Sequence, residues 1–374
     1  MNTGLHMMCR IDSAGISLTV FSGEHTIYRD YQPFPHTVHD ERHIYDRMTH
    51  HADILLHRMC TDAREYVGKH PTTCVVVVGE PWSHMICRKI NHARKTPFKL
   101  TQAMVQDLVA RDMKRAEIQY REHRHSAHTE FSEPRYHNLS IAGHTIAQPW
   151  NKMINDVEIT YTTGWFDVQI VEILKSVIHE QLRVPLLGIT FHHEQSCIAA
   201  WWGKHGIENA LLINPTGQVS ELYIFQNGIL AQWGTIPIGL PDFERALMHE
   251  LGIGSAQLPG LMRLSQDGLL DGKVIQRMEK SLGKAFSLWK NDLNKFCITA
   301  VERGMIVEQI VWMGNPLHPA IAYAMRSVAT DDLSFPVVFG APHTGSIMLQ
   351  AMVPNIRPEP GMVQDYIVRE GISE

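Results

Sequence analysis

The sequence predicts an α/β protein whose larger domain is interrupted by a small α+β unit, and three stretches carry that prediction. Cys74-Val-Val-Val-Val-Gly79 is apolar without alternation, as suits a strand covered on both faces by helices. From Arg88 the composition turns polar and basic, and strand and helix patterns alternate until Pro185. Leu211 to Gly239, LLINPTGQVSELYIFQNGILAQWGTIPIG, reads as strands joined by tight turns that hand over to a helix near Pro241-Asp242.

Composition bounds the function classes. A chain of 374 residues allows two or three domains and a sizeable core. With 44% hydrophobic and 20% charged residues it is globular in balance. A formal net charge of −5 supplies no global field for nucleic acid or anionic lipid. Cys9, Cys60, Cys74, Cys87, Cys197 and Cys297 include no CxxC pair, so reduced thiols and a cytosolic compartment are expected. The opening MNTGLHMMCRID lacks a basic and then apolar signal pattern, and no apolar run reaches the span of a bilayer. The histidines crowd at His36, His39, His43, His50 and His51 and again at His123, His125 and His128, without a zinc-type spacing. They read as surface residues, and no metal is assigned to them.

In chain order, Met8 to Ile27 reads as two strands around the turn Asp12-Ser13-Ala14-Gly15. Those four residues fit a plain hairpin, because Asp and Gly favour turns. An acid at a strand end before a small-residue turn can also hold a hydrated metal ion below a phosphate. Ile44 to Val67 carries a helical stripe of Ile44, Met48, Ile54, Leu55, Met59 and Val67. The basic run Arg88, Lys89, His92, Arg94, Lys95 and Lys99 lacks interleaved aromatics, so it reads as a solvated face rather than a nucleic-acid site. A helix is expected from about Thr101 to Glu117, with Asp112 among its water-facing residues. A polar loop (121–134), a strand near Leu139 to Ile146, the alternating strand Val157-Glu-Ile-Thr-Tyr161 and a helix from Phe166 to Leu182 complete the unit.

Leu186 to Thr190 returns to the larger sheet, and His192-His193-Glu194-Gln195-Ser196 at its end opens a helix. Polar residues at the carboxyl end of such a strand commonly face a ligand crevice. Leu211 to Gly239 is either an ordinary β-meander or a hairpin that brings backbone N–H groups to a phosphate, with Asn227-Gly228 as a turn signal. Helices over 243–251 and from about Lys273 to Gly304 follow. Then come a strand at Ile306 to Met313, the break Gly314-Asn315-Pro316, a helix at Pro319 to Val328 and a strand at Phe335 to Phe339. The tail from Arg357 lacks the basic face of a membrane-surface helix.

This ordering resembles the actin-like ATPase superfamily, and the position of the insertion is similar to that in the bacterial cell-division protein FtsA and the type IV pilus assembly protein PilM. The resemblance implies an actin-like (ribonuclease H-like) two-lobed α/β fold with an inserted SHS2-type subdomain. The expected divisions are 1–87 for the first part of lobe 1, 88–185 for the insertion, 186–355 for the remaining core and 356–374 for a tail. Residues 11–15, including Asp12, Ser13 and Gly15, resemble the first phosphate loop, with a shifted glycine. Glu194, Gln195 and Ser196, with Ala199, resemble the segment that orients the attacking water. Asn214, Thr216 and Gly217 resemble the start of the second phosphate loop, Gly239 matches its closing strand, and Gly314-Asn315 resembles the adenosine loop.

The resemblance thus implies ATP and Mg²⁺ as ligands, with Asp12, Glu194 and Gln195 as the catalytic set and Asp12 nearest the metal. The departures argue against turnover. Asn214 stands where the family has an acid, and Pro215 lacks an N–H for a phosphate cradle. Ser13 and Asn315 place side chains where the family keeps backbone open to ligand. The expected function is therefore a scaffold of the FtsA/PilM type with little or no ATPase activity. Its implied partner is a cytoplasmic segment of a membrane-embedded pilus or division protein, or a tubulin-like division protein. Self-polymerisation is compatible with the resemblance, nucleic acid is not an expected partner, and the implied location is cytoplasmic, at the inner membrane through that partner. The alternative is an active ATPase or small-molecule kinase of the same superfold, with Asp12 or Glu194 as base.

Overall fold

A computed structural model describes residues 4–312 apart from 24, 35–43, 125–128, 133, 143, 146–148 and 199–207. The expected strand at 335–339, the helix at 319–328 and the tail lie outside the described residues, as do His36, His39, His43, His125 and His128.

Lobe 1 is organised on β1 (Leu5–Asp12), β2 (Gly15–Ser22), β3 (His25–Pro33), β4 (Thr73–Val78) and β10 (Ile189–His193). Their order is β3-β2-β1-β4-β10. The first three are antiparallel neighbours, and β4 and β10 then join in parallel. The apolar run of β4 is central, as its lack of alternation requires. Helix α1 (Ile44–Val67) packs its Met48, Leu56 and Met59 into the core under β1 and β4. Cys9, Cys60 and Cys74 lie there as small apolar groups, and burial pushes the Cys9 thiol up to about 12.

Lobe 2 repeats the topology. β11 (Ala210–Pro215), β12 (Ser220–Gln226) and β13 (Ile229–Ile236) form an antiparallel meander, and β14 (Gln309–Trp312) adds in parallel to β11. The β12–β13 turn is Asn227-Gly228, with φ of 53° and 74°, the left-handed pair that a two-residue hairpin needs.

Of the other helices, α2 (Gln102–Arg124) is in the insertion, α3 (Val168–Leu182) in lobe 1, and α4 (Leu240–Leu251) and α5 (Leu258–Gln266) in lobe 2, before the long α6 (Gly272–Glu302). Asp271 caps α6 by accepting from the Lys273 N–H at 2.8 Å. Its buried stripe, Met278, Leu282, Phe286, Trp289, Leu293, Cys297 and Ala300, keeps the three-and-four spacing of one helix face. Trp289 Nε1 donates to Ser220 Oγ (2.9 Å), which donates to the Ile238 carbonyl (2.7 Å). Ser220→Ala removes the Ser220 acceptor from that buried indole N–H. A loss of about 1–3 kcal/mol is expected in denaturant titrations, whereas Ser287→Ala, on the exposed face of α6, serves as the near-neutral control.

The small unit is built on a third sheet, antiparallel throughout. β5 (Ser83–Lys99), β9 (Met153–Asp167), β7 (Arg135–Ile141) and β8 (His144–Thr145) pair in that order, and β6 (Thr129–Phe131) also pairs with β9. Phe98, Val105, Val109, Val157, Ile159 and Tyr161 form its own core with α2. Three expectations change here. The basic run, read as a solvated face, forms most of the long strand β5, and Arg88 turns inward. Arg88 grips Asp112 of α2 through Nε (2.9 Å) and Nη2 (2.8 Å), and Tyr161 donates to the same carboxylate at 2.7 Å, so Asp112 does not simply face water. The helix expected to close the unit is α3, and its Ile170, Val171, Leu174, Val177 and Ile178 instead enter the lobe 1 core beside α1. Asp167 caps α3 where β9 ends, so the chain is already back in lobe 1 there. The root of the unit also meets lobe 2: His84 lies between the rings of Trp165 and Trp233, each centroid 4.6 Å away.

Candidate functional site

The two hairpin turns meet face to face. From lobe 1 comes the β1–β2 turn at 12–15, and from lobe 2 the β11–β12 turn at 215–220. Ser13 Oγ accepts the Gln218 N–H at 2.8 Å and lies 3.4 Å from Thr216 Oγ1. Thr216 is fixed in turn, because its hydroxyl and its N–H both donate to the Val219 carbonyl at 2.9 Å. Glycine is required where the turns touch. A Cβ on Gly217 would stand 2.0 Å from the Ser13 carbonyl oxygen, and one on Gly239 would stand 2.3 Å from the Gly217 oxygen. Gly239 also precedes α4, and its N–H donates to Asp242 Oδ2 at 2.8 Å.

Beneath the turns lies a charged floor built from the carboxyl ends of β1, β4 and β10, where an α/β sheet opens its crevice. Asp12 Oδ1 accepts the N–H groups of Ala14 (2.7 Å) and Gly15 (3.3 Å), which folds the turn. Its other oxygen, Oδ2, meets Arg10 Nη2 at 2.5 Å. Arg10 shares the face of Asp12 because it is two residues back on the same strand. The same guanidinium holds Glu194 Oε1 through Nε (2.9 Å) and Nη2 (2.5 Å). Gly79, at the end of β4, lets the acids approach, since a Cβ there would stand 2.3 Å from Glu194 Oε2 and 2.9 Å from Asp12 Cβ.

Lobe 2 contributes an acid that the strand 211–217 does not. Glu221 stands directly across the ladder from Asn214. Its Oε2 accepts from Asn214 Nδ2 and from the Tyr223 hydroxyl, both at 2.8 Å, and its Oε1 accepts from Gln195 Nε2 at 2.9 Å. The expectation that Asn214 leaves lobe 2 without a carboxylate at this point is corrected by Glu221. Burial pushes both glutamates up: Glu194 is also pulled down by Arg10 and raised by Asp12, while Glu221 is raised further by Glu194. Burial likewise drives the Tyr223 phenol well above its ordinary value. Glu194 Oε2 and Gln195 Oε1 are buried and accept no hydrogen bond from the described residues. This arrangement can hold a proton or a positive charge on its carboxylates.

Of the residues singled out in the sequence, Asp12, Ser13, Glu194, Gln195, Asn214, Thr216, Gly217 and Gly239 gather at this junction. Gly15 does not face it, since a Cβ there would strike the Gln32 carbonyl oxygen at 2.3 Å, so its space serves the packing of β2 on β3. Gly314, Asn315 and Ala199 lie outside the described residues. Among the described residues no group of three or more His, Cys, Asp or Glu is placed to hold a metal ion. Arg10, Glu221, Tyr223 and Gly79 escaped the sequence reading. The period-two pattern of β1 points to Arg10, and counting back across the 215–220 turn points to Glu221.

No protein-family model matches this sequence, and no curated protein matches it. Solved structures do. A PilM-PilN type IV pilus biogenesis complex aligns with a TM-score of 0.60 at 10% identity over 99% of this chain and 98% of that one. MreB 5 of Spiroplasma citri bound to AMPPNP aligns at 0.44, with 10% identity over 100% and 99% of the two chains. A Bacteroides thetaiotaomicron protein of actin-like ATPase fold and unknown function aligns at 0.41, with 9% identity over 94% and 96%. The first of these likenesses shows the fold: this chain has the two-lobed, actin-like α/β fold, with the repeated sheet topology described above.

Proposed function

We propose that this protein is a PilM-like scaffold, which holds a cytoplasmic segment of a membrane-embedded pilus or division protein and hydrolyses nucleotide weakly or not at all. The observation that carries the reading is the end-to-end alignment with the PilM-containing complex, which spans both lobes and the inserted unit alike. Among the described residues no helix is long and apolar enough to cross a membrane, and in this reading the partner supplies the membrane anchor. The inserted unit offers a surface for it. Where the pairing with β9 is interrupted between Ala93 and Phe98, β5 presents the exposed residues Arg94 to Pro97, including Lys95.

The test uses the full chain and synthetic peptides that copy the cytoplasmic segments of single-pass membrane proteins encoded beside it. Fluorescence anisotropy is expected to show saturable binding of one such peptide, unchanged by ATP and Mg²⁺, and weakened when Arg94 and Lys95 are both replaced by Glu. Robust multiple-turnover phosphate release without binding of any of these peptides would replace this reading with that of an ATPase or small-molecule kinase.

A further inference from the structure

We propose that Arg10 supplies from within the chain the positive charge that joins the carboxylates at the floor of the cleft, so that the β1–β2 hairpin and the end of β10 are held together without a divalent cation. The inference deepens the reading of the cleft as inactive and rests on it, while partner binding is measured independently.

An acid that orients hydrated Mg²⁺ needs oxygens free to face the metal or its water shell. Here Oδ1 of Asp12 is committed to the turn and Oδ2 to Arg10, and Oε1 of Glu194 is held by the same guanidinium. The planar fork suits this duty, since it can reach two carboxylates from one strand position and keeps its charge at any physiological pH. Its side chain is 20% exposed, against 4% and 7% for Asp12 and Glu194, so the charges meet largely out of water. A divalent ion placed between these two acids would have to displace the guanidinium or lie against it, like charge on like. Above them Ser13 fills the gap between the turns by accepting from Gln218. The residues present therefore do not fit a Mg²⁺–phosphate group in this position. One acceptor, Glu194 Oε2, remains buried without a hydrogen bond from the described residues. It is the atom that a cation would engage if the guanidinium were gone.

An ordinary buried ion pair would share this geometry, and metal rescue separates the two. Thermal unfolding of the full chain is followed with EDTA, with millimolar Mg²⁺ or Mn²⁺, and with Mg²⁺ plus AMPPNP. The wild type is expected to keep one midpoint under all these conditions. Arg10→Ser is expected to unfold at lower temperature and to regain about 5 °C or more with saturating Mn²⁺ or Mg²⁺, as a ligand that binds only the folded state must produce. Arg10→Lys keeps a charge and is expected to lie between them and stay metal-insensitive. A saturable stabilisation of the wild type by Mg²⁺, alone or with AMPPNP, would overturn the proposal. So would a folded Arg10→Ser protein that no divalent ion stabilises. Should Arg10→Ser not fold, Mn²⁺ titration of the wild type by electron paramagnetic resonance decides: no bound fraction at equimolar metal supports the proposal, and a tight single site refutes it. None of these outcomes alters whether the peptide binds, so the two readings fail separately.

Discussion

Gly217→Val is expected to destabilise the protein by roughly 3 kcal/mol and to part the two hairpins, because overpacking against fixed backbone cannot relax by side-chain rotation. The first atom of any side chain at this position already stands 2.0 Å from the Ser13 oxygen, 2.2 Å from the Ser13 carbon and 2.4 Å from the Ala14 nitrogen. All three are main-chain atoms of a turn tied to Asp12. The lobes must therefore separate locally, which breaks the Gln218–Ser13 hydrogen bond and wets the carboxylate floor. A suitable control is Gly260→Ala in α5, where a Cβ meets no atom within 4 Å. There the substitution is expected to be neutral or to stabilise by up to about 1 kcal/mol through the lower entropy of the unfolded chain. Urea titrations of the two variants give opposite signs if the junction is as tight as described. Equal and small effects would mean that the hairpins do not meet in solution.

Why that junction was only half legible in the sequence follows from the kind of information each residue carries. Local signals were strong where local physics decides. The left-handed Asn227-Gly228 pair, the helix α1 and the unbroken valines of β4 all fell where the pattern placed them, although in the α1 stripe Ile54 is exposed and Leu56 is buried instead. β3 was missed because it is an edge strand, HTIYRDYQP, whose polar residues hide its period. β5 was missed for a related reason: basic residues occupy both its faces beyond the reach of the core, so strand and solvated loop look alike along the chain. The allegiance of α3 could not be read at all, since an amphipathic stripe says that a helix is buried and not against which layer. Asn214 shows the same limit within the site. As a single position it announces a lost acid, but the ladder sets Glu221 opposite it, and a carboxylate returns from the neighbouring strand. Pairwise facts of this sort depend on register, which the turn length fixes and no single-residue motif records.

Glu221 carries the other large effect. Glu221→Leu removes the acceptor shared by Gln195, Asn214 and Tyr223 and leaves three buried donors unanswered, at a cost of about 3 kcal/mol or more. Glu221→Gln is a gentler and more informative change. Its carbonyl can keep the two donors at Oε2, and its amide nitrogen would then face Gln195. That residue can answer by turning its own amide, because Gln195 Oε1 accepts no hydrogen bond from the described residues. Burial, reinforced by the charge of Glu194, raises the Glu221 carboxyl from 4.5 to about 8, so the folded state binds this proton more tightly than the unfolded chain. The sign follows: the stabilisation from Glu221 is complete below 4.5 and is lost as pH rises through about 8. Glu221→Gln cannot titrate and should escape that loss. Denaturant titrations near neutral and mildly alkaline pH, compared with mildly acidic pH, are expected to show the variant gaining on the wild type by on the order of a few kcal/mol as pH rises. Parallel pH profiles would mean that Glu221 is ionised in the folded protein throughout. The buried floor would then carry its full negative charge, with Arg10 in contact with Asp12 and Glu194.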